Sequence, residues 1–334
     1  MHIDREWLEK IPKVELHVHL GGAIPLPTLK NLIGKYQGDV PTDEQLAQKF
    51  SYRDFPHFLE IWRWKDLFLR EYTDFELISR DVARDLLSQN IKYAEMFFSP
   101  TTHRLKKALD TQRLIAAVRR GLDRESGIAV KLIIDLSRNL PPEAELETVE
   151  ALQDLSDLGV IGIGLGGPEL EYPPKIFKKI FTFARRIGLH VTAHAGEGAG
   201  PESVWEAIKE LEIERVGHAA RAHEDEALVE YLKEHDIPVE LCPISNIKTR
   251  VINTLADHPV RMFFDKGMRL SVNTDDPKLF NTSLAGEYDA LANQFDFGKK
   301  DIRAIILSAI KSSWLREEEQ ECLTAQFRTD KAWL

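Results

Sequence analysis

The amino-acid sequence predicts a protein of the α/β class folded as one (β/α)8 TIM barrel, and three observations lead to this prediction. Eight short apolar runs recur along the chain, longer amphipathic stretches separate them, and the links between the two are short. Strands and helices that alternate with short links indicate a parallel sheet. Eight such units in a chain of 334 residues indicate a closed barrel rather than an open sheet.

The eight runs are interpreted as strands because several are nearly continuous in apolar residues, as in parallel strands covered on both faces. They are residues 14–20, 91–99, 130–136, 160–167, 190–195, 215–219, 237–243 and 268–274. The stretches between them follow a helical pattern, for example residues 174–187, 203–211 and 224–234. In the last of these, Leu228, Val229 and Leu232 form one apolar stripe.

Two parts of the chain go beyond the repeating unit. The interval at residues 25–90 is too long for one crossover helix, and we expect two or three helices there that help to close a pocket. The tail from Ser283 onward has a helical pattern and is expected to pack on the barrel. We see no linker or low-complexity segment, so residues 1–334 are predicted to form a single domain.

Composition argues against several classes of protein. The net charge of −10 disfavours a nucleic-acid partner and suits a small, neutral or cationic substrate. No apolar run reaches the roughly 18 residues of a membrane-spanning helix, and the charged N-terminus lacks the apolar core of a signal peptide. Only Cys242 and Cys322 occur, without CxxC spacing, which indicates a reducing compartment and disfavours a cysteine-based zinc site. We expect a cytoplasmic protein that has no membrane partner, and the sequence leaves its oligomeric state open.

The ends of the predicted strands carry the residues that could do chemistry, and barrel active sites lie at that edge. His17 and His19 end the first strand, and because side chains alternate along a strand both imidazoles face the same side. Two imidazoles on one face can bind one metal ion. His194 brings a third imidazole to the same edge at the end of the fifth strand. Any one of these histidines could equally be structural, so their combination carries the prediction.

The eighth strand supplies a carboxylate to the same group. It ends in the adjacent Asp275 and Asp276, which the strand directs into the barrel mouth. Three histidines with one carboxylate suit Zn²⁺ with one position left for water, and Zn²⁺ makes such a water nucleophilic near neutral pH. The remaining Glu197, His218 and Asp276 are the titratable groups that general acid–base catalysis needs.

Other catalytic motifs do not fit the sequence. It contains neither HExxH nor HxE with PCxxC, which argues against zincin proteases and cytidine-type deaminases. The fourth strand has no lysine that could bridge two metal ions, so we predict a single metal ion. Gly162, Gly164 and Gly167 match GxGxxG, but Pro168 follows at once instead of a helix, which disfavours a dinucleotide site.

Six segments together resemble the adenosine deaminase family of the amidohydrolase superfamily, along nearly the full chain. They are residues 12–20 (PKVELHVHL), 93–100 (YAEMFFSP), 192–197 (TAHAGE), 215–218 (RVGH), 242–246 (CPISN) and 273–277 (NTDDP). Each segment alone has low specificity, but six in the family's order are very specific. The resemblance implies a metal-dependent hydrolase that deaminates a purine nucleoside at its 6-amino group, converting adenosine to inosine and ammonia.

The resemblance also implies roles for the residues at the strand ends. One Zn²⁺ per subunit would be bound by His17, His19, His194 and Asp275. Glu197 would protonate the ring nitrogen N1, which makes C6 electrophilic. His218 and Asp276 would orient and deprotonate the attacking water. Four positions would meet the substrate: His19, Gly21, Gly167 through its backbone at the purine N3 edge, and Asp276 at N7.

Two positions depart from the family pattern. Many adenosine-specific members have an aspartate at the position of Gly21, where it binds the ribose 5′-hydroxyl; glycine removes that contact and is expected to make room. Gly164 stands where those enzymes usually have aspartate, and Pro168 follows the last glycine of the segment. These departures predict tolerance of a 5′-substituted or 5′-deoxy nucleoside, such as aminodeoxyfutalosine, beside or instead of adenosine.

Two other functions remain as alternatives. An adenine deaminase would act on the free base and would differ around Gly21 and Pro168–Glu169. A non-enzymatic binding protein on the same fold would have a damaged ligand set, yet no proposed ligand or proton-handling residue is missing. The aromatic residues Phe55, Phe58, Trp62 and Trp64 fit either an apolar lid over the pocket or the core-facing side of amphipathic helices.

Overall fold

Eight parallel strands form the predicted barrel, so the fold class is confirmed. The computed structural model describes residues 3–153 and 155–333, and the predicted domain limits at residues 1 and 334 lie outside them. The strands are β1 (Lys13–His19), β2 (Ile91–Phe98), β3 (Ala129–Ser137), β4 (Val160–Gly166), β5 (His190–Ala195), β6 (Arg215–His218), β7 (Val239–Leu241) and β8 (Leu270–Val272). Each strand pairs in parallel with the next along the chain, from β1 to β8. β7 is shorter than predicted because Pro238 and Pro243 flank it and have no N–H to extend the ladder.

The barrel closes between β1 and the segment that follows β8. The Asp275 N–H donates to the His17 carbonyl at 3.0 Å, and the His19 N–H donates to the Asp275 carbonyl at 2.8 Å. Deeper in the seam, the Glu15 carboxyl accepts the Thr274 N–H at 2.8 Å. The backbone bonds that close the barrel therefore also bring together three of the predicted metal ligands.

Helices surround the strands. They are α1 (Arg5–Lys10), α2 (Leu26–Gln37), α3 (Asp43–Lys49), α4 (Phe55–Lys65), α5 (Tyr72–Ser88), α6 (Thr101–Lys107), α7 (Thr111–Leu122), α8 (Pro142–Glu150), α9 (Lys178–Arg186), α10 (Pro201–Glu206), α11 (Glu226–Glu234), α12 (Pro243–Lys248), α13 (Val260–Asp265), α14 (Pro277–Phe280), α15 (Leu284–Phe295), α16 (Lys299–Ser312) and α17 (Glu317–Thr329). Among the described residues, no helix has both the length and the apolar character that crossing a bilayer requires.

The interval between β1 and β2 contains four α-helices, α2 to α5, rather than the two or three expected. Local signals divide it. Gly38, in a left-handed conformation with φ +79°, ends α2. The side chains of Thr42 and Asp54 accept backbone N–H groups at the start of α3 and α4, which caps both helices. The division leaves α4 free to lie over the barrel mouth, where its residues line the main pocket.

The C-terminal tail is helical, as predicted, and packs on the barrel. Helix α16 packs against β8 and β1. Trp314, just after this helix, lies 3.7 Å from the Arg215 guanidinium and stacks on the His190 ring at 4.8 Å. Both partners stand at the N-terminal ends of their strands. The tail thus covers the end of the barrel opposite the predicted site.

Candidate active site

The four predicted metal ligands converge at the C-terminal mouth of the barrel. The Nε2 atom of His194 lies 3.1 Å from the Nε2 atoms of both His17 and His19. Asp275 Oδ1 lies 3.3 Å from His19 Nε2 and 3.8 Å from His17 Nε2. Ligand atoms around a tetrahedral Zn²⁺ with bonds of about 2.1 Å stand roughly 3 to 3.5 Å apart. The separations therefore suit one shared ion of this kind.

Neighbouring groups orient two of the imidazoles toward this centre. The His17 Nδ1–H donates to the Glu240 carboxylate at 2.8 Å, and the His194 Nδ1–H donates to the Leu165 carbonyl at 3.0 Å. Each Nε2 therefore presents its lone pair to the metal position. Burial lowers the pKa of His17 well below its ordinary value and that of His194 to about 4. Both rings are neutral at physiological pH, which is the form that binds metal ions.

Two residues of the site have left-handed backbone conformations. Asp275 has φ +62° and His218 has φ +61°, values that residues other than glycine rarely adopt. Such a conformation costs about 1 to 3 kcal/mol and persists only where surrounding contacts hold it. At Asp275 those contacts include the two backbone bonds to β1 and the Ser245 hydroxyl, which donates to Oδ2 at 2.6 Å. The two residues with strained backbones, Asp275 and His218, therefore both have side chains that line the pocket.

Glu197, His218 and Asp276, the predicted proton-handling residues, lie beside the ligand set and line the same pocket. His218 Nε2 is 3.6 Å from Glu197 Oε1. The Asn246 side-chain amide donates to His218 Nδ1 at 3.0 Å, so the neutral ring carries its proton on Nε2. Within the described residues, this buried Nε2 has no hydrogen-bond partner. It is therefore available to a ligand.

Three buried carboxyls crowd this part of the pocket. Burial raises the pKa of Glu197 well above its ordinary value, and the nearby Glu169 and Asp276 raise it further. Burial likewise raises the pKa of Asp275 well above normal and that of Asp276 to about 7, the latter against the opposing influence of Lys65. A cation among the histidines would offset this accumulation of negative charge. The electrostatics, like the distances, therefore fit a bound metal ion.

Helix α4 forms one wall of the pocket, and three of its four aromatic residues take part in that wall. The aromatic residues that line the pocket are Phe55, Phe58 and Trp62. The Trp62 indole N–H also donates to Asp276 Oδ1 at 3.2 Å. Trp64 instead packs against Phe68, with ring centroids 5.2 Å apart. Three of the four residues thus face the pocket, and the fourth serves helix packing.

Gly21 does not provide the space predicted for it. A Cβ atom at this position would lie 2.9 Å from Lys65 Cε and closer still to Lys65 Nζ. Lys65 is only 1% exposed; its ammonium forms an ion pair with Asp66 at 2.8 Å and lies 3.6 Å from the Trp62 ring. The expectation that glycine makes room here was therefore wrong, because a buried lysine from α4 already fills the place.

The glycines of β4 have different environments. A Cβ at Gly164 would lie 2.7 Å from Phe97, whose ring packs 4.6 Å from that of His17. Phe97 therefore excludes a side chain at residue 164. Gly167 has φ +102° and lines the pocket, as its predicted role requires. Its positive φ explains glycine at this position.

Sequence reasoning missed two carboxyls of the site. Asp135 lines the pocket; its Oδ2 accepts the Ser99 hydroxyl at 3.0 Å and lies 3.9 Å from His19 Nδ1, and burial raises its pKa to about 7. Glu240 orients His17. A signal for both was present, because each is the one acidic residue in a predicted apolar strand. A lone acid in such a strand needs a partner, and here the partners are at the site.

The fold and the site define a metal-dependent hydrolase of the amidohydrolase superfamily. Within it, the chain belongs to the adenosine deaminase family: the family described as Adenosine deaminase matches residues 12–329. The chain is 34% identical over 332 residues to aminodeoxyfutalosine deaminase from Streptomyces avermitilis, covering 97% of this chain and 92% of that protein. It is also 34% identical over 328 residues to adenosine deaminase from Serratia proteamaculans, covering 96% and 98%.

Solved structures agree with this assignment. The crystal structure of adenine deaminase from Arthrobacter aurescens superimposes with a TM-score of 0.89 at 25% identity, covering 95% of this chain and 98% of that chain. An amidohydrolase from Burkholderia ambifaria with bound Zn superimposes with a TM-score of 0.88 at 26% identity, covering 98% and 93%. The names of these similar proteins specify different substrates.

Proposed function

We propose that this protein hydrolyses the 6-amino group of a purine nucleoside, with one Zn²⁺ bound by His17, His19, His194 and Asp275. The observation that carries the proposal is the convergence of these ligand atoms with three further titratable side chains in one pocket. Zinc is supported by the B. ambifaria amidohydrolase, whose structure contains it. When bound, Zn²⁺ supplies Lewis-acid activation of water, which makes hydroxide available near neutral pH.

In this proposal Glu197 donates a proton to purine N1. The reaction forms a C6–O bond and breaks the C6–N6 bond, and a proton on N1 draws electrons from C6 and so favours attack. Burial and the adjacent Glu169 and Asp276 carboxyls favour the protonated form of Glu197. As the C6 carbonyl forms, the hydroxyl proton of the adduct returns to Glu197, which restores the acid for the next cycle.

His218 and Asp276 act on the attacking water. His218 holds its proton on Nε2, because Nδ1 accepts from Asn246, and so it can donate a hydrogen bond to the water oxygen. Asp276 accepts a proton from the water, and the Trp62 indole N–H fixes its Oδ1 atom. That proton passes to the departing nitrogen, which leaves as ammonia. The side chains thus return to their starting protonation states.

The purine would lie against the glycines at the end of β4. Gly166 and Gly167 line the pocket and present no side chain, so a flat ring can approach the backbone. The Gly167 N–H would meet purine N3, Asp276 would meet N7, and His19 would stand beside the sugar. Gly21 is not proposed as a sugar contact, because Lys65 covers that position.

A 5′-extended nucleoside that ends in an anionic group is the second candidate substrate. The apolar side chains among the residues that line the pocket suit an apolar substituent, and they are Phe55, Phe58, Leu59, Trp62, Leu67 and Leu140. Arg63 and Lys106 also line it, and neither has an ion-pair partner within the described residues. Aminodeoxyfutalosine, which the Streptomyces relative's name specifies, is a 5′-modified nucleoside.

Loss of the adenosine absorbance band on conversion to inosine tests the main proposal, with zinc-loaded protein and the Glu197→Ala variant as control. We expect turnover by the unmodified protein and its loss in the variant. Equal turnover by both proteins would refute the role of Glu197. Faster turnover of free adenine than of any nucleoside would identify an adenine deaminase instead. No turnover of adenine or of any nucleoside would refute the proposed function.

The second candidate is tested with a matched pair of substrates, 5′-deoxy-5′-(phenylthio)adenosine and its 3-carboxyphenylthio counterpart. If the cations bind the anionic group, Arg63→Gln and Lys106→Gln each lower kcat/KM for the carboxylate roughly 1.5- to 5-fold, as exposed ion pairs do. Neither changes kcat/KM for the uncharged substrate. Lys300→Gln, an exposed lysine on α16, is the charge-matched control. A preference for the uncharged substrate, or equal effects on both, would refute this candidate.

A further inference from the structure

Glu169 connects the loop after β4 to the loop after β5, which carries Glu197. Its carboxylate accepts three backbone N–H groups: Gly196 at 2.7 Å, Glu197 at 3.1 Å and Ala199 at 3.0 Å. The side chain is buried, with 4% of the residue exposed. It does not line the pocket that holds the metal ligands, although Glu197 does. Glu169 therefore contacts the backbone of the proposed proton donor from outside the catalytic pocket.

Arg138 also connects the loop after β4 to the end of β5. Its buried guanidinium donates to the carbonyl of His194 at 2.7 Å and to the carbonyl of Tyr172 at 2.6 Å. One of these carbonyls belongs to a proposed metal ligand and the other to the loop that carries Glu169. Among the acids near Arg138, Glu169 does most to offset the effect of burial and stabilise the positive charge. Glu169 and Arg138 therefore both connect the loop after β4 to the end of β5 and the loop that follows it.

The turn that Glu169 holds has little freedom of its own. Gly196 has φ +69°, and a Cβ there would lie 2.7 Å from Val204 Cγ2. Without the Glu169 carboxylate, three buried N–H groups would lose their acceptor, which a protein interior does not tolerate without rearrangement. The turn would relax to find other partners. The Glu197 side chain would move with it.

We propose that Glu169 is a positioning residue for the deamination reaction, one that fixes the backbone at Glu197 so that its carboxyl reaches purine N1. The inference rests on the role proposed above for Glu197. Glu169 itself touches neither substrate nor metal. A displacement of about 1 Å at a reacting group can lower a rate 100-fold, so the effect should appear in kcat rather than in KM.

A double-mutant cycle of Glu169→Gln and Glu197→Gln tests this proposal. We expect Glu169→Gln to lower kcat roughly 10- to 100-fold, with KM changed less than about threefold and zinc content unchanged. In the Glu197→Gln background the same substitution should change the residual kcat less than about twofold, because no acid remains to be positioned. Glu171→Gln, an exposed acid two residues further on, is the control and should keep full kcat.

Two results would overturn the proposal: unchanged kcat in Glu169→Gln, or an equal fractional loss in both backgrounds. If Glu169→Gln does not fold, Glu169→Asp replaces it, because the shorter carboxylate keeps the charge and changes the reach; the same two results count against the proposal. Full activity of Glu197→Gln itself would instead refute the role of Glu197. The two failures are therefore distinguishable.

Discussion

The ammonium of Lys65 lies where a side chain at Gly21 would begin, so these two residues, which are distant in sequence, share one space. The lysine is held there by Asp66 at 2.8 Å and by the ring of Trp62 at 3.6 Å. Trp62 in turn donates to Asp276. The absence of a side chain at Gly21 therefore leaves room for Lys65 of helix α4, which contacts Trp62 and, through it, a proposed catalytic carboxylate.

This relationship predicts strong coupling between Gly21 and Lys65. Gly21→Ala should displace the lysine, lower the free energy of unfolding by about 1 to 3 kcal/mol and reduce kcat. In a Lys65→Ala background the same change should have little further effect, because the space is already vacant. Chemical denaturation and steady-state kinetics of the two single variants and the double variant provide the measurement. Additive losses would show that the two residues act independently.

Removal of the metal ion should abolish activity and destabilise the protein. The carboxyls of Glu197, Asp275 and Asp276 are buried close together, and burial above all raises the pKa of each, so their charged forms are disfavoured without a cation. Dialysis against a chelator should lower the melting midpoint, and added Zn²⁺ should restore both midpoint and turnover, since a ligand that binds only the folded state stabilises it. Full activity of metal-free protein, verified by elemental analysis, would contradict the proposed site.

Glu240→Gln should weaken zinc affinity roughly 10- to 100-fold, because the carboxylate that orients His17 is lost. The substitution also breaks a buried ion pair, since Arg215 contacts both Glu240 and Glu95 at 2.7 and 2.6 Å. Glu95→Gln is the matched control: it disturbs the same arginine but does not contact His17. Competition with a chromophoric chelator measures affinity. Equal affinities in the two variants would assign the effect to the arginine instead.

Glu287 predicts a pH dependence of stability. Burial raises its pKa to about 8, against about 4.3 for an exposed glutamate. Between these two pH values the folded protein keeps a proton that the unfolded chain releases. The contribution of Glu287 to the free energy of unfolding is therefore fully present below about pH 4.3 and is lost as the pH rises through 8. Glu287→Gln cannot titrate and should be more stable than the unmodified protein by about 4 to 5 kcal/mol at pH 8, with little difference at pH 4.

Thermal melting across this pH range measures the effect of Glu287. Glu321→Gln, at an exposed position on α17, is the control and should follow the unmodified protein at every pH. Parallel pH profiles for Glu287→Gln and the unmodified protein would mean that the buried carboxyl is not protonated in the folded state.

Much of the fold could be predicted because the relevant signals are local. Apolar runs and helical stripes follow directly from neighbouring residues, and all eight observed strands lie inside the predicted runs or extend at most one residue beyond them. The split of the interval after β1 into four helices was under-predicted. Its stop and start signals, Gly38, Thr42 and Asp54, are present in the sequence, but such signals also occur in loops.

The sequence by itself determined which side chains could meet at the barrel mouth. His17 and His19 are two residues apart on one strand, so they must face the same side, and barrel topology brings the ends of β5 and β8 to them. Only the tertiary structure decided what surrounds them: Lys65 against Gly21, Glu240 behind His17, and the Glu169 carboxylate under the turn at Glu197. These contacts join segments far apart in the chain, and their geometry depends on side-chain packing that no local pattern encodes.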